Sequence, residues 1–244
     1  MHHETATATR QGDRESNQDR YAVLPRESGR LLLLADGMGG HPRGELAAQV
    51  FTDSVTRAFN QAAWPIADPG QFLETAITRA HTDIIVAGEH EQPPVCPLTT
   101  GVACLVQEQQ ACWAHVGDSR FYLFRNGDTL VRTRDHSLVQ EFIEHGELEE
   151  SEREQHPLRN VVTRSLGGAS GAPVVEHSEL TGLQPGDTLL LCSDGLWSAL
   201  PEDRLADLAT ATDLEQAVQE IALEAELTSS PVSDNVTLVA CRMR

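Results

Sequence analysis

The chain has 244 residues with 18 basic and 37 acidic side chains, giving a formal charge of −19, and it contains no lysine. Such an acidic surface repels a nucleic acid backbone, which excludes nucleic acid as a partner. No apolar run approaches the roughly 20 residues that span a bilayer. The start, MHHETATATRQ, lacks the basic and apolar regions of a secretory signal, so a cytoplasmic protein without a membrane segment is expected.

Thr and Ala alternate up to Gln11, as in an edge strand, and Tyr21–Leu24 continues the pattern beyond a polar turn, GDRESNQDR. Residues 31–35 form an apolar run without alternation, which reads as a strand buried on both faces. From Gly44, the spacing of Ala47, Val50, Phe51, Val55, Ala58 and Phe59 predicts a helix. Leu73, Ala76, Ile77, Ala80 and Ile84 predict a second one after Pro69 and Gly70. TTGVACLV and ACWAHV read as strands, and Asn126-Gly127 between FYLF and LVRT is a hairpin signal. Ser137 is placed to cap a short helix over LVQEFIEHG.

Residues 147–173 are charged and Gly-rich without clear period, so a mobile insertion is expected, with ELEESEREQ as a solvated helical face. VVEHSEL and TLLLCSDG return to strand, Leu214, Ala217, Val218, Ile221 and Ala225 mark a helix, and VTLVACR closes the chain as a strand. Antiparallel sheets covered by helices follow from this order. Neither a repeat nor a linker interrupts it, so one domain over 1–244 is expected. Five cysteines without a CxxC pair indicate neither a zinc knuckle nor a disulfide framework, and three of them lie in strand-like runs as core residues.

Four strand ends carry a carboxylate: Asp36 after LLLLA, Asp118 after CWAHVG, Asp194 after TLLLCS, and Asp234 before NVTLVAC. Each alone is an ordinary turn signal. If the sheets bring these ends together, their mutual repulsion calls for cations, and oxygen-only donors select hard ions such as Mg²⁺ or Mn²⁺. Other chemistries fit less well. In GMGG the third glycine of GxGxxG is replaced by Pro42 and no GK[ST] follows, which argues against nucleotide cradling. Cys192 and Ser193 lack a nucleophile elbow and read as packing residues, and the ten histidines show no HExxH spacing, so zinc is not expected.

The ordered set RESNQD (14–19), DGMGGH (36–41), GDSR (117–120), SDG (193–195) and DN (234–235), with TRDHSLV (133–139) and TRSLGG (163–168), resembles the PP2C-type (PPM) metal-dependent protein serine/threonine phosphatases in their bacterial form. The resemblance runs over nearly the whole chain. It implies an α+β fold, a four-layer α-β-β-α sandwich of two antiparallel sheets flanked by helices. It implies two Mn²⁺ or Mg²⁺ ions at a core site, with Asp36 bridging them, the Gly37 carbonyl on one, Asp194 and Asp234 on the other, and Asp19 holding water beside them. Asp118 would hold a third, weaker ion with Asp194, and Arg14 would grip the substrate phosphate.

Hydrolysis of phosphoserine and phosphothreonine in proteins follows, with phosphorylated proteins as partners and a bacterial serine/threonine kinase whose action is opposed. A monomer is expected, and 147–173 corresponds to the flap beside the site. Three places depart from the pattern. Gln18 stands where many members carry Glu, and Met38 where animal members carry an acid His, which leaves His41 or a metal-bound water as the possible acid. The threonine pair reads LTTG (98–101) where the family has Gly-Thr-Thr, a change expected to be structural. The alternative from another class is a non-catalytic phosphoprotein-binding scaffold, which should have lost a ligand from Asp36, Asp194 or Asp234; a structural Ca²⁺ module would need an EF-hand pattern, and none is present.

Overall fold

The computed structural model describes residues 3–38, 43–168 and 171–244. The first half runs β1 (His3–Arg10), β2 (Arg20–Arg26), β3 (Gly29–Ala35), α1 (Gly44–Gln61), α2 (Pro69–Glu89), β4 (Leu98–Thr99), β5 (Gly101–Gln107) and β6 (Gln110–Val116). It continues with β7 (Arg120–Arg125), β8 (Asp128–Arg132), α3 (Leu138–Glu144), β9 (Leu166–Gly167), β10 (Glu176–His177) and β11 (Thr181–Gly182). It ends with β12 (Thr188–Cys192), α4 (Asp194–Trp197), α5 (Glu202–Ala206), α6 (Leu214–Ser229) and β13 (Val236–Met243).

One antiparallel sheet has the order β1-β13-β12-β7-β8 and the other β10-β6-β5-β3-β2, with β11 also on β6. Alternation along β3 explains the layering. Leu31, Leu33 and Ala35 pack with Ala47, Phe51 and Val55 of α1 and Leu73 and Ile77 of α2, whereas Leu32 and Leu34 point into a second core with Phe121, Leu191 and Val239 of the facing sheet. A third core joins Leu190 and Leu238 to Leu214, Val218 and Ile221 of α6. The order is therefore helices, sheet, sheet, helices, and the central strands are apolar on both faces because both faces are covered.

Local signals act as the residues dictate. Asn126 and Gly127 take φ of 56° and 88° in the β7–β8 turn, the pair of positive angles that suits the twist of a hairpin. The Ser137 side chain accepts from the Gln140 N–H at the start of α3, and Asp213 accepts from the Gln216 N–H at the start of α6. β1 and β2 belong to different sheets, so the polar turn between them crosses the sandwich. Three expectations change. VVEHSEL contributes only Glu176–His177 and, further on, Thr181–Gly182, short pieces against the edge of β6. The stretch from 147 contains a 3₁₀ turn, Glu150–Gln155, whose Arg153 is 5% exposed, so ELEESEREQ is not a uniformly solvated face. Four cysteines are buried, not three, and Cys96 is exposed.

The registers decide where the loops meet. Arg10 pairs with Val236, and Cys192 pairs with both Leu238 and Arg120, so the end of β1, the start of β13, the end of β12 and the start of β7 lie together. In the other sheet Ala35 pairs with Arg20 and Gly101 with Val116, which gathers the corresponding ends of β2, β3, β5 and β6.

Candidate metal centre

Asp36 leaves β3 in a backbone clamp. Its carbonyl accepts from the Thr100 N–H at 2.9 Å and the Thr99 hydroxyl at 2.8 Å, and its own N–H donates to Thr100 Oγ1 at 3.1 Å. The Met38 N–H donates to the Leu98 carbonyl at 3.0 Å. Gly37 is crowded: a Cβ there would lie 2.5 Å from the Gly44 carbonyl group and 2.9 Å from the Gln18 carbonyl oxygen. The short β4 thus fixes the carboxylate's direction, and only glycine fits behind it.

Asp194 follows Ser193, and this serine is no packing residue. Its hydroxyl donates to Asp19 Oδ2 at 2.9 Å and accepts from the Thr237 N–H at 3.0 Å, joining residues 19, 193 and 237 in one buried knot. Asn235 ties the polar turn down. Its side-chain oxygen accepts from the Gln18 N–H at 2.8 Å, and its amide donates to the carbonyls of Gln11 and Ser16 at 2.7 and 3.0 Å. Arg14, in that turn, donates to Asp234 Oδ2 at 2.6 Å with about half its side chain exposed. Gln18 donates to Glu45 Oε2 at 3.2 Å.

Asp118 sits between β6 and β7, and its carbonyl accepts from the Trp197 indole N–H at 2.9 Å. Arg120 stacks on that indole, 3.6 Å from guanidinium carbon to ring centre, and forms a bidentate pair with the buried Asp135 at 2.8 and 2.7 Å. Arg153 donates to the same carboxylate at 3.0 Å, which anchors the 3₁₀ turn to the strand carrying the Asp118 loop. The segment after it is laced to α3: the Leu138 N–H donates to the Val161 carbonyl and the Thr163 N–H to the His136 carbonyl.

Asp36, Asp118, Asp194, Asp234 and Arg14 line one cleft of about 770 Å³, which Asn160, Val161 and Ser165 also border. Asp19 lies behind its wall, 4% exposed. Burial pushes the Asp19 carboxyl up to about 6, with Asp234 adding repulsion, and the Asp118 carboxyl up to about 7, with Asp135 adding repulsion. Asp36 and Asp194 are raised well above the ordinary carboxylate value by burial first and then by neighbouring carboxylates. The donor set fits hard divalent cations. It is oxygen-only and anionic, and Asp19 Oδ1 is buried without a hydrogen-bond partner, a defect that a cation or its water shell would repair.

The strand-end carboxylates expected to meet therefore do meet, together with Asp19, Gly37 and Arg14. His41 lies outside the described residues, as do Gly39, Gly40 and Pro42 of the glycine-rich stretch. Ser193, Thr99, Thr100 and Asn235 were not singled out as site residues. Their side chains act on backbone and carboxylate partners 44 to 224 positions away, beyond any spacing rule.

A family model described as protein phosphatase 2C matches residues 8–230. The chain is 33% identical over 198 residues to the serine/threonine phosphatase stp of Listeria monocytogenes, covering 80% of this chain and 78% of that one. Among solved structures, Stp1 serine/threonine phosphatase from Staphylococcus aureus superposes with a TM-score of 0.89 at 26% identity, covering 100% of this chain and 96% of that one. The catalytic domain of the serine/threonine protein phosphatase PstP in complex with two manganese ions superposes with a TM-score of 0.82 at 28% identity, covering 98% and 97%.

Proposed function

Because the chain belongs to the protein phosphatase 2C family, we propose that the carboxylate cleft is its catalytic centre, within one domain spanning 1–244. The protein is a metal-dependent protein serine/threonine phosphatase that acts on phosphorylated proteins. The observation that carries the site assignment is the convergence of four aspartates from separate stretches of the chain on one cleft, with a fifth, Asp19, buried behind its wall with an orphaned oxygen. So much buried negative charge would repel a phosphate ester unless cations neutralised it.

In this reading Asp36, the Gly37 carbonyl, Asp194 and Asp234 hold two ions, Mn²⁺ or Mg²⁺, and Asp118 with Asp194 holds a third, weaker one. When bound, such ions neutralise phosphoryl oxygens and make water nucleophilic near neutral pH. The protein's own groups do the rest. Thr99 and Thr100 keep Asp36 aimed into the cleft. Ser193 holds one oxygen of Asp19 and leaves the other without a partner, so that it would be available to hold metal-bound water. Arg14, half-exposed at the rim, turns its planar fork of donors to the phosphate. His41 is the proposed proton donor to the leaving serine or threonine oxygen. Asn160, Val161 and Ser165, in the 147–173 flap, border the cleft where the rest of the phosphoprotein would lie.

The counterpart is a serine/threonine kinase whose products this enzyme hydrolyses. We further infer a cytoplasmic monomer; no helix among the described residues is long and apolar enough to cross a membrane. The test is phosphate release from a phosphothreonine peptide, with Mn²⁺ titrated in after chelation. Asp194→Ala should lower turnover by more than the roughly 10–100-fold typical of losing an outer-shell partner, and Asp118→Ala should weaken the response to Mn²⁺. A folded wild type that binds phosphopeptide but releases no phosphate at any Mn²⁺ level would favour the scaffold reading.

A further inference from the structure

The described residues bring a second set of metal-binding side chains together, outside the carboxylate cleft. His115 of β6, His136 just before α3 and Glu176 of β10 each place a ligand atom within 4.8 Å of the others. We propose that His115, His136 and Glu176 form a separate site for a borderline transition ion of the Zn²⁺ type.

The donor chemistry differs from that of the cleft. Two imidazoles and one carboxylate suit zinc, whereas the cleft's oxygen-only set suits magnesium and manganese. The state of His115 points to a ligand directly. It is 2% exposed, its Nε2 faces the Arg134 carbonyl oxygen at 2.8 Å, and its Nδ1 is buried without a hydrogen-bond partner. With the proton held on Nε2 by that carbonyl, Nδ1 keeps a lone pair that no protein donor uses, and a zinc-ligating histidine usually has its other nitrogen held by a carbonyl in this way. Burial also pushes both histidines below their ordinary value, His136 to about 4, so each offers an imidazole lone pair at neutral pH with no charge to lose.

His136 lies parallel to His115 at 4.6 Å between ring centres, with Nε2 3.2 Å from Glu176 Oε2. Glu176 is half-exposed and borders, with His115, a cavity of about 160 Å³ that gives an ion a way in and leaves room for a water. Two features oppose binding and set its cost. Arg164 stands 3.4 Å from His136 Nε2 and must swing aside. His136 Nδ1 accepts from the Gly117 N–H at 3.1 Å, so ligation through Nε2, which moves the ring proton to Nδ1, gives up that bond. Gly117 immediately precedes Asp118, which links the two sites through one amide. No sequence spacing joins positions 115, 136 and 176, which is why the histidines carried no zinc signal in the sequence.

The test is equilibrium dialysis of the Mg²⁺-saturated protein against Zn²⁺, with bound zinc counted per chain. The variants are His115→Ala and Glu176→Gln, each checked for folding by its thermal melt. Each should bind one zinc fewer than wild type. Should the buried His115 variant fail to fold, the exposed Glu176→Gln variant decides alone. Equal zinc content in wild type and Glu176→Gln overturns the proposal, because any zinc then sits on the carboxylates of the cleft.

Discussion

Ser193→Ala removes a single hydroxyl and strands two buried partners, an Asp19 oxygen and the Thr237 amide. Leaving a buried polar group unpaired costs about 1–3 kcal/mol, which a urea denaturation curve will register. Mn²⁺ affinity should fall about 10–100-fold as Asp19 loses its orientation. The same aspartates dictate a pH response. Asp19 and Asp118 have folded values of about 6 and about 7, above the ordinary carboxylate value of about 4. A raised folded value gives stability that is full below about 4 and is lost as pH rises through 6 to 7. Metal-free protein should thus melt at a lower temperature at pH 8 than at pH 5, and saturating Mn²⁺ should narrow or reverse that difference. Asp36, Asp118, Asp194 and Asp234 were legible because each abuts a recognisable strand. Ser193 was misread as packing because its partners, Asp19 and Thr237, lie 174 and 44 positions away.

Among the elements, the 3₁₀ turn Glu150–Gln155 owes its place to one carboxylate. Asp135 pairs with Arg120 and Arg153, and the three side chains are nearly excluded from water. Asp135→Asn leaves the buried Arg120 guanidinium without its counter-charge and Arg153 with Glu150 alone, for which a loss of about 3–5 kcal/mol is expected in chemical denaturation. Because Arg120 stacks on the indole that holds the Asp118 carbonyl, the Mn²⁺ dependence of turnover should weaken in the same variant. Elements with a periodic apolar face, α1, α2 and α6, were readable from that face, and β7–β8 from Asn126-Gly127. β10 and β11 were not, since two-residue pieces on a sheet edge owe their form to β6 and not to their own composition. Arg153 in an acidic stretch reads as solvated; tertiary pairing with Asp135 overrides that reading.

At the scale of the whole molecule, cations and fold are linked. An ion that binds the folded chain alone adds about 2.7 kcal/mol at a hundred times its dissociation constant, so unfolding in excess Mn²⁺ should need more urea than unfolding after chelation. The layer order was legible because apolar runs without alternation demand cover on both faces, as Leu31–Leu34 have. The partition of strands between sheets was not, because the crossing after β1 is set by pairing with a strand at the far end of the chain.

That pairing, β1 with β13 from His3–Met243 to Arg10–Val236, has a consequence for biosynthesis. Arg14 leaves the ribosome 220 residues before Asp234, yet the two meet at one cleft. Until translation delivers β13, β1 has no hydrogen-bonded neighbour in its sheet and the cleft lacks the wall that carries Asp234. Nascent chains that have not yet made β13 are therefore expected to release no phosphate.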